Sequence, residues 1–380
     1  MNLELSEEQK LLQKSVREFA ESEVRPLAKE LDETGHFPRE LFKKAAELGL
    51  TGVAFPEAEG GAGFDHLAYT IVIEEISRCC ASTGVILSVQ NSLFCDPIHR
   101  YGTGEQKRKF LLPFTRGERI GCYALTEPQA GSNAAALQTK AVKQGDIYVI
   151  NGTKAWITNG GVADAAIVYV NTDPAKGERG ITAIVVEKGA PGFKVGKEEK
   201  KMGINATACC ELIFTDCAVP VANRVGNEGE GYKVALSTLD GGRIGIAAQA
   251  TGIAQGAFEA ALKWAQERMA FGHPIAQFQA IQFMLADMAT EIDAARLLVR
   301  KAAWKQDSGG RFSQEAATAK LFASEMATRV THKAIQIHGG YGYSREYPVE
   351  RAYRDARITE IYEGTSEIQR LVIASWVLKG

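Results

Sequence analysis

The spacing of apolar residues changes twice along this chain, and that change constrains the fold more than any other feature of the sequence. Up to about residue 121 the spacing is helical, and a capping box from Ser6 to Gln9 marks the first helix. From Cys122 to Ala222, short β-branched runs bounded by Gly, Pro and Asp predict strands. After Gly231, long stretches rich in Ala and Leu predict helices again. The predicted order is helical, then β, then helical.

A chain of 380 residues is longer than one compact hydrophobic core usually requires. We therefore expect an α+β multidomain protein, with an N-terminal helical domain over 1–121, a central β domain over 122–228 and a C-terminal helical domain over 229–380. Helices are predicted from near Pro38 and over Ile71–Cys80, Thr83–Ile98, Val234–Met269, Ile281–Lys305, Gln314–His338 and Ser366–Leu378.

Within the β region, Asn151-Gly152 has the composition of a two-residue hairpin turn. We expect it to join two strands, Ile147–Ile150 and Thr153–Thr158. Further strands are predicted at Ala166–Val170, Ile181–Glu187 and Leu212–Thr215.

Charge and hydropathy argue against several kinds of partner. Lys plus Arg is 44 and Asp plus Glu is 46, so a net charge of −2 offers no broad positive face for nucleic acid. No apolar stretch has the length of a bilayer span. Residues 1–9 lack the features of a signal or transit peptide. We therefore expect a cytoplasmic protein of bacterial type, or a mitochondrial matrix protein if a transit peptide was removed.

The seven cysteines and six histidines show no metal-binding pattern. Two pairs, Cys79/Cys80 and Cys209/Cys210, are adjacent, and adjacent cysteines bond each other only with strain. Neither a CxxC pair nor an HExxH motif occurs. We expect buried free thiols in a reducing compartment, and no metal site.

Two segments of the β region have residues suited to a cofactor. Tyr123–Asn133 (YALTEPQAGSN) offers small residues and two hydroxyls for a polar ring edge or a phosphate, but its composition also fits an ordinary turn. Lys154–Gly161 (KAWITNGG) places Trp156 near Thr158 at a strand end. That pair suits stacking and hydrogen bonding to an aromatic cofactor, whereas a lone Trp is more often part of a core.

Two segments near the C-terminus are further candidates. Gln336–Tyr343 (QIHGGYGY) ends a long predicted helix, where paired glycines form either a C-cap or a close approach to a ligand; it is not a Rossmann GxGxxG. In Ile361–Arg370 (IYEGTSEIQR), Glu363 lies in an apolar-flanked turn before a predicted helix. Desolvation there would raise its pKa and suit a general base, while a solvated or capping glutamate is the alternative.

Five segments together resemble the acyl-CoA dehydrogenase family, most closely its short-chain, butyryl-type members: YALTEPQAGS, KAWITNGG, QERMAFG, QIHGGYGYSREYPVERAYRD and IYEGTSEIQR. The likeness runs from about Leu5 to Leu378. It implies a helical N-terminal domain, a central β-barrel and a C-terminal four-helix bundle. It also implies FAD, bound between the β domain and the C-terminal helices and across a subunit contact, in a homotetramer built from two dimers.

The resemblance also implies roles for single residues. Glu363 matches the catalytic base. The positions that match the FAD site are Tyr123, Leu125, Thr126, Gly131, Ser132, Trp156, Ile157, Thr158, Arg268, Gln279, Gln336, Ile337, Gly339, Gly340, Thr365, Ser366 and Glu367. Those from Arg268 to Gly340 are expected to reach the cofactor of a neighbouring subunit. The positions that match the acyl-CoA site are Ser132, Asp240, Arg243 and Gly364.

The implied reaction is α,β-dehydrogenation of a saturated, short-chain acyl-CoA to the trans-2-enoyl-CoA. Glu363 removes the α-proton and its backbone N–H polarises the thioester oxygen, while the β-hydrogen leaves as hydride to the flavin. An electron-transfer flavoprotein then receives the electrons. Leu87, Leu93 and Phe94 are expected either to shorten the acyl cavity or to face the domain core.

Two positions depart from the family pattern. Asn133 stands where the family usually has Asp, so a charge-dependent role there is lost. Gly242 matches the position at which some members carry the base, which leaves Glu363 alone in that role.

Three alternatives are an acyl-CoA oxidase, a glutaryl-type decarboxylating dehydrogenase and a non-catalytic helical scaffold. Oxidases of this fold commonly have an added C-terminal domain that 380 residues would not hold. The glutaryl-type pattern has an Arg near the segment Ser88–Ser92, which contains none. Intact Glu363, Arg268 and Trp156 count against a scaffold.

Overall fold

The structure is a computed structural model that describes residues 4–379. Residues 1–3 and 380, which the two outer predicted domains include, lie outside the described residues. The helices before the β region are α1 (Glu7–Phe19), α2 (Ala28–Thr34), α3 (Arg39–Glu47), α4 (His66–Cys79), α5 (Ala81–Ser88), α6 (Asp96–Tyr101), α7 (Gly104–Gln106) and α8 (Leu112–Thr115).

The first helices form where the sequence predicts them. Ser6 and Gln9 make the predicted reciprocal cap, each backbone N–H donating to the other side chain at 3.1 Å. The predicted helix over Thr83–Ile98 is interrupted, because a wider π-helical segment over Val89–Cys95 separates α5 from α6. Pro97, the second residue of α6, has no N–H to continue the ladder of hydrogen bonds, which accounts for the break.

The strands are β1 (Gly121–Ala124), β2 (Lys140–Gln144), β3 (Ile147–Ile157), β4 (Ala165–Asn171), β5 (Ile181–Glu187), β6 (Phe193–Glu198), β7 (Cys210–Pro220) and β8 (Arg224–Val225). They form one sheet in the order β6-β7-β3-β2-β4-β5-β8, and β1 pairs parallel to β4. The predicted closed barrel is wrong for the described residues. Closure would require β6 to pair with β8, and β8 is two residues long.

The predicted hairpin at Asn151-Gly152 is also wrong. β3 runs without a turn from Ile147 to Ile157, since it pairs with β7 along both halves. Gly152, with φ of 150°, lies at a β-bulge in this strand, which glycine tolerates. The actual hairpin joins β2 to β3 through Gly145, whose φ is 60°.

The helices after the sheet are α9 (Gly231–Glu267), α10 (Gln279–Asp307), α11 (Ser313–His338), α12 (Pro348–Ile358) and α13 (Ser366–Val377), with a short hairpin of β9 (Met269–Ala270) and β10 (His273–Pro274) between α9 and α10. No helix among residues 4–379 is both long enough and apolar enough to cross a membrane.

Helix α9 ties the helical layers to the sheet. Its 37 residues extend roughly 55 Å at 1.5 Å per residue. Its beginning, at Val234 and Ala235, packs in a core with β4 and β5, whereas its later part joins the core of the N-terminal and C-terminal helices. Each of the seven cysteines is buried and free, as the sequence predicts.

Candidate active site

Glu363 lies in a tight turn between α12 and α13. Its φ is 51° and that of Gly364 is 93°, so two successive residues are left-handed. Glycine adopts this conformation freely, but a glutamate pays roughly 1–2 kcal/mol for it. The turn is held from two sides. Lys320 Nζ donates to the Gly364 carbonyl at 2.7 Å, and Gln369 Nε2 donates to the same carbonyl at 2.8 Å and to the Glu363 carbonyl at 3.2 Å.

The carboxylate of Glu363 is directed at α9. A Cβ built on Gly242 would lie 2.1 Å from Glu363 Oε2 and 2.7 Å from the Leu93 side chain, so the missing side chain makes the space for the carboxylate. Oε2 is buried and has no hydrogen-bond partner within residues 4–379. Burial raises the pKa of Glu363 to about 7, although the nearby charges of Lys320 and Arg243 favour the ionised form.

Arg243 and Asp240 form a buried pair next to this carboxylate. Arg243 Nη1 lies 2.7 Å from Asp240 Oδ1, and the Ser313 hydroxyl donates to the other Asp240 oxygen. The Nε of Arg243 is buried without a partner. An N–H left unpaired at a buried site is available to a ligand group, and the place of Arg243 in the substrate site stays a prediction.

A narrow cleft adjoins the same stretch of α9. It is lined by Gly241, Tyr69, Ser92 and Asp96 among others. The Tyr69 hydroxyl bonds the Ser88 hydroxyl at 2.9 Å and lies against Gly245. A run of glycines on α9 therefore brings one face of this helix close to α4 and α5 as well as to Glu363.

The two predicted cofactor segments of the β region lie side by side. Ala155 N donates to the Thr126 carbonyl at 2.9 Å. Beneath them, the fully buried Lys154 donates to the Leu125 carbonyl at 3.0 Å and pairs with Glu127 at 2.8 Å. The backbone N–H groups of residues 138 and 139 also donate to Glu127, which fixes the whole segment.

Trp156 is 60% exposed and has a φ of 62°. The alternative that it belongs to a core is therefore wrong, and its ring is free to stack on a ligand. Gly131, Ser132 and Asn133 are exposed as well, and a Cβ built on Gly131 meets no atom within 4 Å. Together they present an open, polar rim to solvent.

Tyr123 connects this rim to Glu363. Its hydroxyl donates to the Ala235 carbonyl on α9 at 3.3 Å, and the charges of both Glu363 and Arg243 act on it. Burial raises the pKa of Tyr123 well above its usual range. The β-domain residues and the Glu363 turn thus border one region of the protein.

The remaining predicted cofactor residues lie elsewhere. Arg268 follows the end of α9 and lies over the Tyr341 ring, with Cζ 5.4 Å from its centroid. Trp264 stacks on His338 at 5.1 Å, which brings Arg268 next to the Gln336–Gly340 segment. Gly339 and Gly340 have open space around them, and Gln279 is exposed at the start of α10.

Within one protomer, Arg268 is far from Glu363 along helix α9. The stretch of helix from Gly242 to the end of α9 is roughly 39 Å long at 1.5 Å per residue. Arg268 and Glu363 of one protomer are therefore not parts of one small-molecule site.

Several predicted cofactor residues have side chains that are buried or that cap a helix. Leu125, Ile157 and Ile337 are buried in hydrophobic cores, so only their backbone atoms remain available. Thr365 caps α13 by accepting from Ile368 N at 3.4 Å. Ser366 is buried and its hydroxyl has no partner, while Glu367 and Gly364 lie beside it in the turn.

The three apolar residues expected near the acyl cavity separate into two groups. Leu93 is buried in the helical core and also borders the space between Gly242 and Glu363. Phe94 packs on Phe114 at 4.4 Å between ring centroids, and it lies in the core with β4 and β5. Leu87 is fully buried in the helical core. The alternative of a core position is therefore correct for all three residues, and Leu93 is the one that also borders the Glu363 carboxylate.

Sequence reasoning missed four residues that shape the site: Glu127, Lys154, Lys320 and Gln369. A signal was present for Lys320, since Ala316, Ala323 and Ser324 surround it at helical spacing and a solvated lysine rarely has such neighbours. No comparable pattern marked Gln369.

Comparison with known proteins agrees with this geometry. Family models described as "Acyl-CoA dehydrogenase" match in three parts: the N-terminal domain over residues 6–118, the middle domain over 122–217 and the C-terminal domain over 229–378. The short-chain-specific acyl-CoA dehydrogenase of Clostridium acetobutylicum is 52% identical over the full length of both chains. The acryloyl-CoA reductase (NADH) of Anaerotignum propionicum is 50% identical, covering 100% of this chain and 96% of the relative.

Solved structures agree closely as well. Butyryl-CoA dehydrogenase from Megasphaera elsdenii superposes with a TM-score of 0.98 at 47% identity, over the whole of both chains. A chain from a study of the electron transferring flavoprotein of Acidaminococcus fermentans gives a TM-score of 0.99 at 49% identity, again over both full chains. The matched domains together span nearly all of the sequence, and this protein belongs to the acyl-CoA dehydrogenase family.

Proposed function

We propose that this protein catalyses FAD-dependent α,β-dehydrogenation of a saturated, short-chain acyl-CoA to the trans-2-enoyl-CoA. The observation that carries the proposal is the carboxylate of Glu363, which is buried, lacks a hydrogen-bond partner at Oε2 and faces the bare backbone of Gly242. A general base needs a pKa near the working pH, and burial raises that of Glu363 to about 7.

Glu363 removes the α-proton of the substrate. The left-handed turn and the hydrogen bonds from Lys320 and Gln369 fix its backbone, so the carboxylate is positioned before substrate binds. The backbone N–H of Glu363 polarises the thioester oxygen as negative charge develops there. Arg243, held by Asp240, lies beside the same space and orients the acyl-CoA.

The residues of this chain fit FAD. The exposed Trp156 ring, the open rim at Gly131 and Ser132, and the partnerless Ser366 hydroxyl are features that a polar aromatic cofactor would satisfy. We propose that the cofactor positions named from the resemblance hold it, with Ile157 and Ile337 contributing through their backbones. When bound, FAD supplies the acceptor for the hydride that leaves the β-carbon.

We propose that the cofactor site is completed by a second copy of the chain, in a tetramer built from two dimers. The roughly 39 Å of helix between Gly242 and Arg268 supports this, because the Arg268 group of one protomer would have to serve a partner's site. Exposed aromatic residues near Arg268, Phe271 at 93% and Phe283 at 64%, support a protein contact there.

We further propose an electron-transfer flavoprotein as the redox partner and a reducing, cytoplasmic location. The structural likeness to a chain from the Acidaminococcus study supports the partner, and the seven free buried thiols support the compartment. Domain bounds of 1–121, 122–228 and 229–380 are proposed as well, supported by the three family matches.

Glu363→Gln tests the proposed base. The amide retains the shape of the side chain but takes up no proton, so turnover of butyryl-CoA with a dye acceptor should fall by roughly 10²–10⁴-fold or more. Flavin content and the unfolding temperature should stay near those of the wild type. A matched control is Glu291→Gln, because that carboxylate pairs with Arg329 and Lys333 and its charge is not among those that act on Glu363 or Lys320.

Flavin bleaching by substrate at the wild-type rate in the Glu363 variant would show that another group is the base. The assay is run in both directions, since the Anaerotignum relative is a reductase. A protein purified without flavin that cannot be reconstituted would overturn the proposed chemistry as a whole.

A further inference from the structure

Lys320 is a buried cation whose hydrogen bond helps to hold the Glu363 turn but whose charge has no part in the reaction as proposed above. Its side chain is fully buried on α11, and its Nζ donates to the Gly364 carbonyl at 2.7 Å. A buried ammonium is costly unless charges or hydrogen bonds replace its hydration. Ala316, Ala323 and Ser324 are small and buried around it, so the helix leaves space for the lysine stem.

A second, neutral donor bonds the same carbonyl. Gln369 Nε2 lies 2.8 Å from the Gly364 oxygen and 3.2 Å from the Glu363 oxygen, and Gln369 is fully buried too. The Gly364 carbonyl thus accepts one hydrogen bond from a charged donor and one from an uncharged donor. This arrangement allows the effect of charge to be separated from that of hydrogen bonding.

Groups from several elements face this turn. The charges that act on Glu363 are those of Lys320 from α11 and Arg243 from α9, and the charge of Glu363 in turn acts on Tyr69 from α4, Tyr123 from β1 and Tyr362 in the turn itself. Those that act on Lys320 are Glu363, Arg243, Glu360 and Glu367. The charge of Arg243 is compensated by Asp240 at 2.7 Å, whereas the ammonium of Lys320 bonds a neutral carbonyl. Lys320 therefore has the less compensated positive charge near Glu363.

The charges of Lys320 and Glu363 stabilise each other. Burial lowers the pKa of Lys320 to about 7 and raises that of Glu363 to about 7, and each charge opposes the shift of the other group. Two groups that titrate over the same pH range at one site behave as a coupled pair.

We propose that Lys320 is a positioning residue for the base: it fixes the Glu363–Gly364 turn through the Gly364 carbonyl, and its charge stabilises the Glu363 carboxylate. The inference deepens the proposed function, and it rests on Glu363 being the base. Without the ammonium the turn retains the bond from Gln369, but the carboxylate loses a nearby positive charge. Glu363 then holds its proton to higher pH.

The test compares Lys320→Met, Lys320→Gln and Gln369→Leu in the flavin-loaded protein. Lys320→Met removes charge and donor, Lys320→Gln removes the charge but keeps an amide donor, and Gln369→Leu removes a donor to the same carbonyl without changing charge. Infrared difference titration of ¹³C-glutamate-labelled protein, with the matching Glu363→Gln protein subtracted, reports the pKa of Glu363 without substrate. Thermal unfolding and flavin absorbance identify any variant that fails to fold.

Both Lys320 variants should raise the pKa of Glu363 by about one unit, because each removes a positive charge that favours the ionised carboxylate. The acid limb of kcat/KM should move by the same amount, and Gln369→Leu should move neither. An unchanged Glu363 pKa in both Lys320 variants, or an equal shift in Gln369→Leu, would overturn the inference. The titration needs no turnover, so it still tests Lys320 if Glu363→Gln turns out to be active and the assignment of the base fails.

Discussion

The carboxylate of Glu363 occupies the space that a side chain on Gly242 would fill, since a Cβ built there lies 2.1 Å from Oε2. Glu363 is part of a turn held by Lys320 and Gln369, and Gly242 is part of the long buried helix α9. Neither backbone can shift readily. The absence of a side chain at Gly242 therefore leaves the space in which the carboxylate of Glu363 lies.

Gly242→Ala should displace the Glu363 carboxylate and lower kcat/KM by roughly 10²-fold, the usual cost of a misplacement of about 1 Å. Gly241→Ala adds the same methyl group one residue earlier, where the nearest atom is the Gln306 amide at 3.7 Å. Its effect should be at least tenfold smaller, because it leaves Glu363 where it is. Equal activities of the two variants in a steady-state assay would show that Glu363 does not depend on Gly242.

The pH dependence of turnover follows from the raised pKa of Glu363. The base must be ionised, so kcat/KM should fall as the pH drops through about 7. The effect on stability has the opposite sign: a folded-state pKa above the usual 4.5 gives stability that is present below pH 4.5 and lost as the pH rises toward 7. Stopped-flow flavin reduction from pH 5.5 to 8.5 measures the first effect. A rate that stays constant down to pH 5.5 contradicts it.

The sequence predicts the order of the layers because long helices and β-branched runs carry strong periodic signals. The helix that starts near Pro38 and the Ser6–Gln9 cap are found as predicted. The prediction of a turn at Asn151-Gly152 was wrong because turn composition is a local signal. Strand β3 is instead determined by its pairing with β7, some 60 residues later in the chain. Asn151, for example, bonds Asp216 at a sequence separation of 65 residues. Sheet closure is also a non-local property, and nothing in the short β8 segment marks it as an edge.

The site was predictable only in part for the same reason. Glu363 could be singled out by its apolar-flanked turn, yet its pKa depends on burial by several distant segments and on the opposing charges of Lys320 and Arg243 on two other helices. Lys154 and Glu127 form their ion pair across 27 residues, and neither has a distinctive neighbourhood in the sequence. Such polar contacts between distant segments have no periodicity from which to predict them.

The ion pair between Lys154 and Glu127 should be required for the two predicted cofactor segments of the β region to keep their relative positions. Lys154→Met leaves the Glu127 carboxylate buried without its cation, a change that usually costs 3–5 kcal/mol. We expect a lower unfolding temperature and weaker flavin retention, since the pair fixes both Leu125 and the residues beside Trp156. Lys143→Met, an exposed lysine on β2, is the control. Flavin affinity equal to that of the wild type would exclude this role.

The flavin content of the purified protein should depend on its oligomerisation. Arg268→Ala should lower the flavin content of the purified protein, because Arg268 borders the Gln336–Gly340 segment proposed to serve a partner's cofactor. Lys263→Ala removes an exposed cation about one turn earlier on α9 and should have little effect. Light scattering measures the oligomeric state of each variant, and the flavin-to-protein absorbance ratio measures its flavin content. A monomer with a full complement of flavin would contradict the shared site.

Substrate length should be limited by Leu93. Its side chain lies 2.7 Å from the Cβ position of Gly242, beside the Glu363 carboxylate, where a longer acyl chain would require space. A methylene that fits gains about 0.8 kcal/mol from burial, and one that does not fit meets steric repulsion. We therefore expect kcat/KM to peak at about four to six acyl carbons, and Leu93→Ala to move that peak to longer chains. Leu87→Ala is the matched control, because Leu87 is buried in the helical core and its loss should cost about 2–5 kcal/mol of stability without moving the peak. A wild-type profile that keeps rising through lauroyl- and palmitoyl-CoA, or the same optimum in both variants, would show that Leu93 does not close the cavity.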